Sequence, residues 1–233
     1  YGTGCFALMN IGENAAMSRH RLITTVAYSI DEKITYALEG SIFIAGAAIQ
    51  WIKDGLSLLS DYEDSEKIAE EISSTQGVYF IPALTGLGAP YWRSDVRGSI
   101  VGLSRETKSN HIIRASLEAQ AFQTRDLIDV MCQDAELSID QMRIDGGLAK
   151  NKFVCQFLAD ILQRRIHVPR SNEATAWGAA CLAGLGVGAF GDLNEISSTW
   201  QSSKCYESKM ASEKSDELYE GWRVAISNLL YKG

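Results

Sequence analysis

Three short stretches carry residue types and spacings suited to gripping a phosphorylated ligand. The first is Tyr1-Gly2-Thr3-Gly4, in which two glycines flank a hydroxyl residue ahead of an apolar run. Glycine admits backbone angles and close approaches that other residues resist. Such a turn can therefore aim backbone N–H groups and the Thr3 hydroxyl at one point, a geometry suited to phosphate. The same residues also make a plain hairpin turn. The second stretch runs from Ile144-Asp145-Gly146-Gly147 through Leu148, Ala149 and Lys150 to Asn151. A strand ending in a double glycine lets a flat ligand lie against bare backbone, and the helix expected next supplies free N–H groups beside Asn151, which suits a nucleotide. A tight strand-to-helix turn capped by Asp145 is the alternative. The third is the pair Gly46 and Gln50, four apart and so on one helix face. Gly46 would allow close approach and Gln50 would be a hydrogen-bonding arm, or Gly46 is simply a small residue where helix meets sheet.

Other chemistries are poorly supplied. No GxxxxGK[ST] phosphate loop occurs, and the one GxGxxG, at Gly186, Gly188 and Gly191, follows an expected helix instead of ending a strand, so it reads as a loop. The formal net charge of −7 over 233 residues, without a basic stripe, argues against a nucleic-acid partner. His20, His111 and His167 lie far apart, so no metal site is expected from them. The five cysteines are odd in number, sit mostly in apolar runs and never form CxxC, which favours reduced thiols and a cytoplasmic location. No run approaches the roughly 20 apolar residues of a membrane span, and the first residues lack a signal-peptide pattern, so no membrane partner is expected. Tyr91 and Trp92 read as loop anchors. Arg105, Arg114 and Arg125 read as solvated charges.

The elements that must position these stretches follow from hydrophobic period. Residues 1–9, 22–30 and 34–38 are rich in β-branched and aromatic side chains, with polar turns between them, and predict a three-strand antiparallel meander. Helical spacing of Ile44, Ala48, Trp51, Ile52 and Leu56 predicts a helix from Ser41, its N-cap, to about Leu58. A charged helix over 64–73 follows. Next come a short buried strand in Gly77–Leu84, a long Gly/Pro/aromatic loop over 85–99 and a long helix over 110–133. Strand, helix and strand then span 141–170. A helix dense in Ala and Gly over 173–188 suggests a backbone pressed against a neighbour, and a last amphipathic helix carries Leu218, Trp222, Ile226 and Leu229. The polar stretch after Gly191 carries no assigned element. This order implies an α/β, ribonuclease-H-like domain with a mixed five-stranded sheet flanked by helices.

Together, "YGTGCFALMN", "YALEGSIFIAGAAIQW", "GVYFIPALTGLGAPYW", "NHIIRASLEAQAFQTRD", "IDGG" and "TAWGAACLAGLGVG" resemble the C-terminal half of the FGGY carbohydrate kinases over nearly all of the chain, more weakly after Gly191. The family's second signature lies without gaps on Gly98, Ile100, Gly102, Leu103, His111, Ile112, Ala115, Ser116, Leu117 and Glu118, and "TGLGAPYW" resembles the members that phosphorylate glycerol. The resemblance implies an actin-, hexokinase- and Hsp70-like ATPase fold of two lobes closing on ATP. It makes residues 1–233 the ATP-binding C-terminal lobe, with the polar segment and terminal helix of 192–233 in the same domain.

Residue by residue, the resemblance implies that Thr3 bonds the terminal phosphoryl group and that Gly46 and Gln50 contribute to the nucleotide site. Gly147 and Asn151 hold the adenosine end, and Phe6 packs on the carbon side of glycerol. The catalytic aspartate, the grips on the glycerol hydroxyls and the carboxylate that organises Mg²⁺ are expected ahead of Tyr1, in an N-terminal lobe. This chain alone is thus expected to hold neither catalytic base nor metal ligands. The resemblance further implies a homodimer or homotetramer. Arg93, Ser94 and Trp177 depart from the family's usual residues and so keep open a kinase for xylulose, ribulose or gluconate; a non-catalytic nucleotide-binding module, of the kind Hsp70-like domains provide, is a separate alternative.

Overall fold

The structure, a computed structural model, describes residues 1–170 and 173–231. Strands β2 (Ile23–Ile30) and β3 (Lys33–Ile42) are joined by Asp31 and Glu32, whose φ values of 49° and 63° meet the demand of the tightest hairpin turn for two left-handed residues. Strand β1 (Cys5–Gly12) pairs antiparallel with the other edge of β3, from Cys5 opposite Ile42 to Gly12 opposite Tyr36. The order β1-β3-β2 puts β3 in the centre, so the expected meander is corrected. The reason lies between β1 and β2. That link is drawn out to the long helix α3 (Ser109–Ala135), where Asp134 accepts from Ser18 Oγ at 2.5 Å and meets His20 Nδ1 at 2.8 Å. Only the Asp31–Glu32 turn is short enough to force neighbouring strands together.

Helix α1 (Gly46–Asp54) starts five residues later than its pattern predicts, because Ser41 and Ile42 stay in the ladder opposite Phe6 and Cys5. Its first N–H groups are met by the N-terminal loop: Ala45 N and Ala47 N donate to Thr3 O at 2.9 and 3.1 Å, and Gly46 N to Gly2 O at 2.9 Å. These backbone carbonyls do what a Ser41 cap was expected to do.

Helix α2 (Asp64–Glu70) leads to β4 (Tyr79–Ile81), which pairs with β5 (Ser99–Val101), a strand that starts where the expected loop ends and that no sequence pattern marks. Strand β6 (Gln141–Arg143) runs parallel to β7 (Arg165–Pro169) through a 3₁₀ turn (Gly147–Lys150) and α4 (Lys152–Leu162), and β8 (Ser202–Tyr206) adds antiparallel to β7. Helices α5 (Ala174–Gly186), α6 (Leu193–Thr199) and α7 (Ser212–Leu230) complete the order. No helix among the described residues is long and apolar enough to cross a membrane.

The α/β class stands. The single five-stranded sheet does not: the described residues form sheets of three, two and three strands. Between the two larger sheets lies Tyr1, whose N donates to Asp145 O at 2.6 Å and whose O accepts from Leu148 N at 3.3 Å. Gly146, at φ +100°, then turns the chain away, so two bonds form where a ladder would need more.

The core gathers on α3, where Phe122 stacks on Trp222 of α7 at 5.5 Å and meets Phe157 of α4 edge-on at 5.6 Å and Tyr79 of β4 at 5.8 Å. Arg114 and Arg125 are largely covered, not solvated: Arg114 pairs with buried Glu118, and Arg125 with Asp216 and Asp129. Helix α5 also departs from expectation. Among its residues only Cys181 is buried, Gly178 and Gly186 have open space around them, and a groove lined by Ile144, Trp177, Ile196 and Trp200 stands between it and the sheet.

Candidate functional site

A cleft of about 810 Å³ opens between the Gly2–Thr3 loop, α1, α2 and the turn after β6. It is lined by Thr3, Gly46, Gln50, Gly147 and Asn151, so three stretches far apart in sequence share one cavity. Thr3 sits at the loop apex with its side chain exposed, its carbonyl being spent on Ala45 and Ala47. Gly2 and Thr3 line this end of the cleft. Close packing fixes this end: a Cβ on Gly46 would lie 2.7 Å from Gly2 O, and one on Gly4 would lie 2.7 Å from Ile42 O. Here glycine is required by the approach of two backbones.

At the other end the reason for glycine is different. Gly147 is exposed, has no left-handed φ, and a Cβ there would meet nothing within 4 Å. Neither strain nor crowding within the chain asks for glycine at that position; what lies in front of it is the cleft. Asn151, 7% exposed, turns its side chain inward: Oδ1 accepts from Val154 N at 3.0 Å as the N-cap of α4, and Nδ2 donates to Ser65 Oγ at 3.3 Å. Asp145 does not cap α4; it accepts from Gly146 N at 2.7 Å and from Ala174 N at 2.9 Å, tying the double glycine to the start of α5.

The wall facing this turn was not foreseen as part of a site. Tyr62, Glu63, Glu66, Lys67 and Glu70, on and just before α2, line it together with Lys53 and Lys150. Tyr62, Glu63, Glu66 and Lys67 fall in the charged run "DYEDSEK", which in the sequence marks only a charged helix. Burial raises the Tyr62 hydroxyl above its usual pKa, and it raises the Cys5 and Cys155 thiols, which flank the two glycine turns in sequence, to about 11. These thiols stay protonated at neutral pH and are not nucleophiles. Among the described residues no group of three or more His, Cys, Asp or Glu is arranged to hold a metal ion. Hydroxyl and bare backbone at one end, bare backbone and a polar wall at the other, can bind and orient an elongated phosphorylated ligand.

Phe6 stands apart from this cleft. It is 65% exposed on β1, on the same face as Leu8, with Ser41 opposite it in the ladder. The signature residues between Gly98 and Glu118 lie outside the cleft lining and build scaffold: His111 Nδ1 accepts from Lys108 N at 3.0 Å at the head of α3, and Glu118 pairs with Arg114 at 2.7 Å.

Residues 1–187 match the model of the FGGY family of carbohydrate kinases, C-terminal domain. The chain is 52% identical over 226 residues to a glycerol kinase of Bacillus subtilis, covering 97% of this chain and 46% of that protein. To a glycerol kinase of Nitrosomonas eutropha it is 53% identical over 231 residues, 99% of this chain and 46% of that protein. The solved Plasmodium falciparum glycerol kinase with ADP superposes with a TM-score of 0.92 at 40% identity, over 99% of this chain and 46% of that one. The chain thus spans about half the length of the relatives it matches.

Proposed function

The chain belongs to the FGGY family of carbohydrate kinases, whose C-terminal domain it matches, and from that premise we propose that it is the ATP-binding C-terminal lobe of a glycerol kinase. The whole protein transfers the γ-phosphoryl group of ATP to glycerol, giving sn-glycerol 3-phosphate and ADP. The observation that carries this reading is the convergence of Thr3, Gly46, Gln50, Gly147 and Asn151 on one cleft. The lobe is a single ribonuclease-H-like domain over 1–233, polar segment and last helix included, in a cytoplasmic homodimer or homotetramer.

In this reading the Thr3 hydroxyl and its loop backbone bond the terminal phosphoryl group, Gln50 reaches the nucleotide from α1, and the bare backbone at Gly147 lies against the nucleoside. Asn151 holds that backbone in place. Phosphoryl transfer depends on positioning and on stabilising charge that shifts between oxygens, so fixed donors at the phosphate end lower the barrier without reorganising. Mg²⁺ bound with ATP would neutralise phosphate charge, and its ligands would come from the N-terminal lobe, the partner of this one in the same protein. That lobe also supplies the base and the grips on the glycerol hydroxyls, while Phe6 covers the carbon side of glycerol. Alone, this chain is therefore inactive.

The test is an ATP-dependent phosphorylation assay of the full-length protein across glycerol, xylulose, ribulose and gluconate. Glycerol is expected to be the preferred acceptor. Preference for a ketose or for gluconate would replace this reading with that of another FGGY kinase, and nucleotide binding without any transfer would replace it with a binding module.

A further inference from the structure

Resting on the nucleotide reading of the cleft, we infer that Ser65 and Glu66 of α2 are positioning residues that set the nucleoside end of the site and leave its phosphate end untouched. The two ends share the bonds of Tyr1 to Asp145 O and Leu148 N, but each is otherwise held by its own helix. At the phosphate end, α1 grips the loop through the bonds from Ala45, Gly46 and Ala47 to Gly2 and Thr3. At the other end, α2 grips the turn. Ser65, fully buried, takes the Asn151 amide at 3.3 Å, and Glu66 Oε2 accepts from Lys152 N at 2.6 Å while its Oε1 lies 3.8 Å from Lys152 Nζ.

The grip is braced from behind. Arg114 Nη1 donates to Ala69 O at 3.1 Å and also to Ile72 O, so α3 holds the C-terminal end of α2 and the residues just after it. Arg114 is itself fixed by Glu118, 2.7 Å away and 5% exposed at its side chain. A chain of contacts therefore runs from the middle of α3 through α2 to Asn151 and Lys152. Gly147 and Leu148 line the cleft at a distance from α2 that this strut sets together with the bond from Leu148 N to Tyr1 O. Asn151 cannot do this alone: its Oδ1 is occupied in capping α4, so its amide is oriented by Ser65.

The strut touches no residue of the Gly2–Thr3 loop among its hydrogen bonds and ion pairs. Cutting it should therefore cost affinity for the nucleoside and not for phosphate. The experiment uses the full-length protein and measures inhibition constants of ADP and of pyrophosphate, with KM for ATP and kcat, for Ser65→Ala, Glu66→Ala and the conservative Ser65→Thr and Glu66→Gln. Each alanine variant is expected to weaken ADP about 3- to 10-fold, the range of one lost internal hydrogen bond. KM for ATP should rise in step, and for Ser65→Ala, whose side chain lies outside the cleft lining, pyrophosphate inhibition and kcat should hold within about twofold. Glu66→Gln keeps an accepting oxygen and should stay close to wild type; Ser65→Thr keeps the hydroxyl but adds a methyl group at a fully buried position, so it should keep the wild-type ratio of ADP to pyrophosphate affinity while losing some stability.

Equal weakening of ADP and pyrophosphate, a fall in kcat at constant KM, or alanine variants that match wild type would overturn the inference while leaving the nucleotide reading intact. A wild-type protein that does not bind ADP would overturn both. Unfolding midpoints for all four variants separate a local effect from a lost fold.

Discussion

At the scale of single residues, two glycines of the cleft differ in why they are glycine, and the difference is testable. Gly46 is glycine because its neighbour is backbone: a methyl group would press on Gly2 O from 2.7 Å, and the loop would have to shift. Gly147 is glycine with nothing of its own chain in front of it. Gly147→Ala is therefore expected to unfold in urea like wild type, yet to bind ADP about tenfold more weakly in the full-length protein, the cost of one extra carbon in a filled contact. Gly46→Ala is expected to lose stability by about 1–3 kcal/mol as well as affinity. Equal stability losses in the two variants would contradict this account.

At the scale of elements, the contact between α3 and α7 contains a buried carboxylate with a defined pH signature. Asp126 accepts from Tyr219 Oη at 2.7 Å and from Trp222 Nε1 at 2.8 Å, and burial pushes its pKa up to about 6 against the pull of these donors. Asp129 adds to the rise from the same helix. A carboxyl whose pKa is higher folded than unfolded binds more protons in the folded state. Its contribution to stability is thus full below the ordinary aspartate range near pH 4 and is lost as pH rises through about 6. Urea unfolding at pH 5 and pH 8 should show wild type losing stability across that interval more steeply than Asp126→Asn. Parallel pH dependences would contradict it. Helix α2 makes a related point: its charged run looks like a solvated face, yet Ser65 and Glu66 turn inward to another segment, and no periodicity marks them.

At the scale of the whole molecule, the chain is bound together by the aromatic group around Phe122, which takes one member each from β4, α4 and α7. Trp222 is completely buried although it comes from the part of the chain beyond the matched residues 1–187. If 192–233 is part of the same domain, Trp222→Ala should lower the unfolding free energy by about 3–5 kcal/mol and keep a single cooperative transition. A second transition, with the first unshifted, would make the C-terminal region a separate unit.

Much of the site was legible because its chemistry is local. The glycine-flanked Thr3, the double glycine before Asn151 and the spacing of Gly46 and Gln50 are properties of a few adjacent residues, and α3 announced itself by a long unbroken period. Long-range choices were not legible. That β3 and not β2 is central depends on Asp134 holding Ser18 and His20 more than a hundred residues away. The start of α1 depends on carbonyls of the first residues, and β8 and α6 lie in a polar stretch whose pairing with β7 no local pattern reveals. The sequence by itself determined which residues can approach a phosphate or a flat ligand, since that follows from side-chain size, donors and backbone freedom. Tertiary structure alone decided that three such stretches share one cleft, that Asn151 is spent on Ser65 and α4, and that α2 forms the opposite wall. Burial and hydrogen-bond pairing are relations between distant segments, and no window of sequence contains both partners.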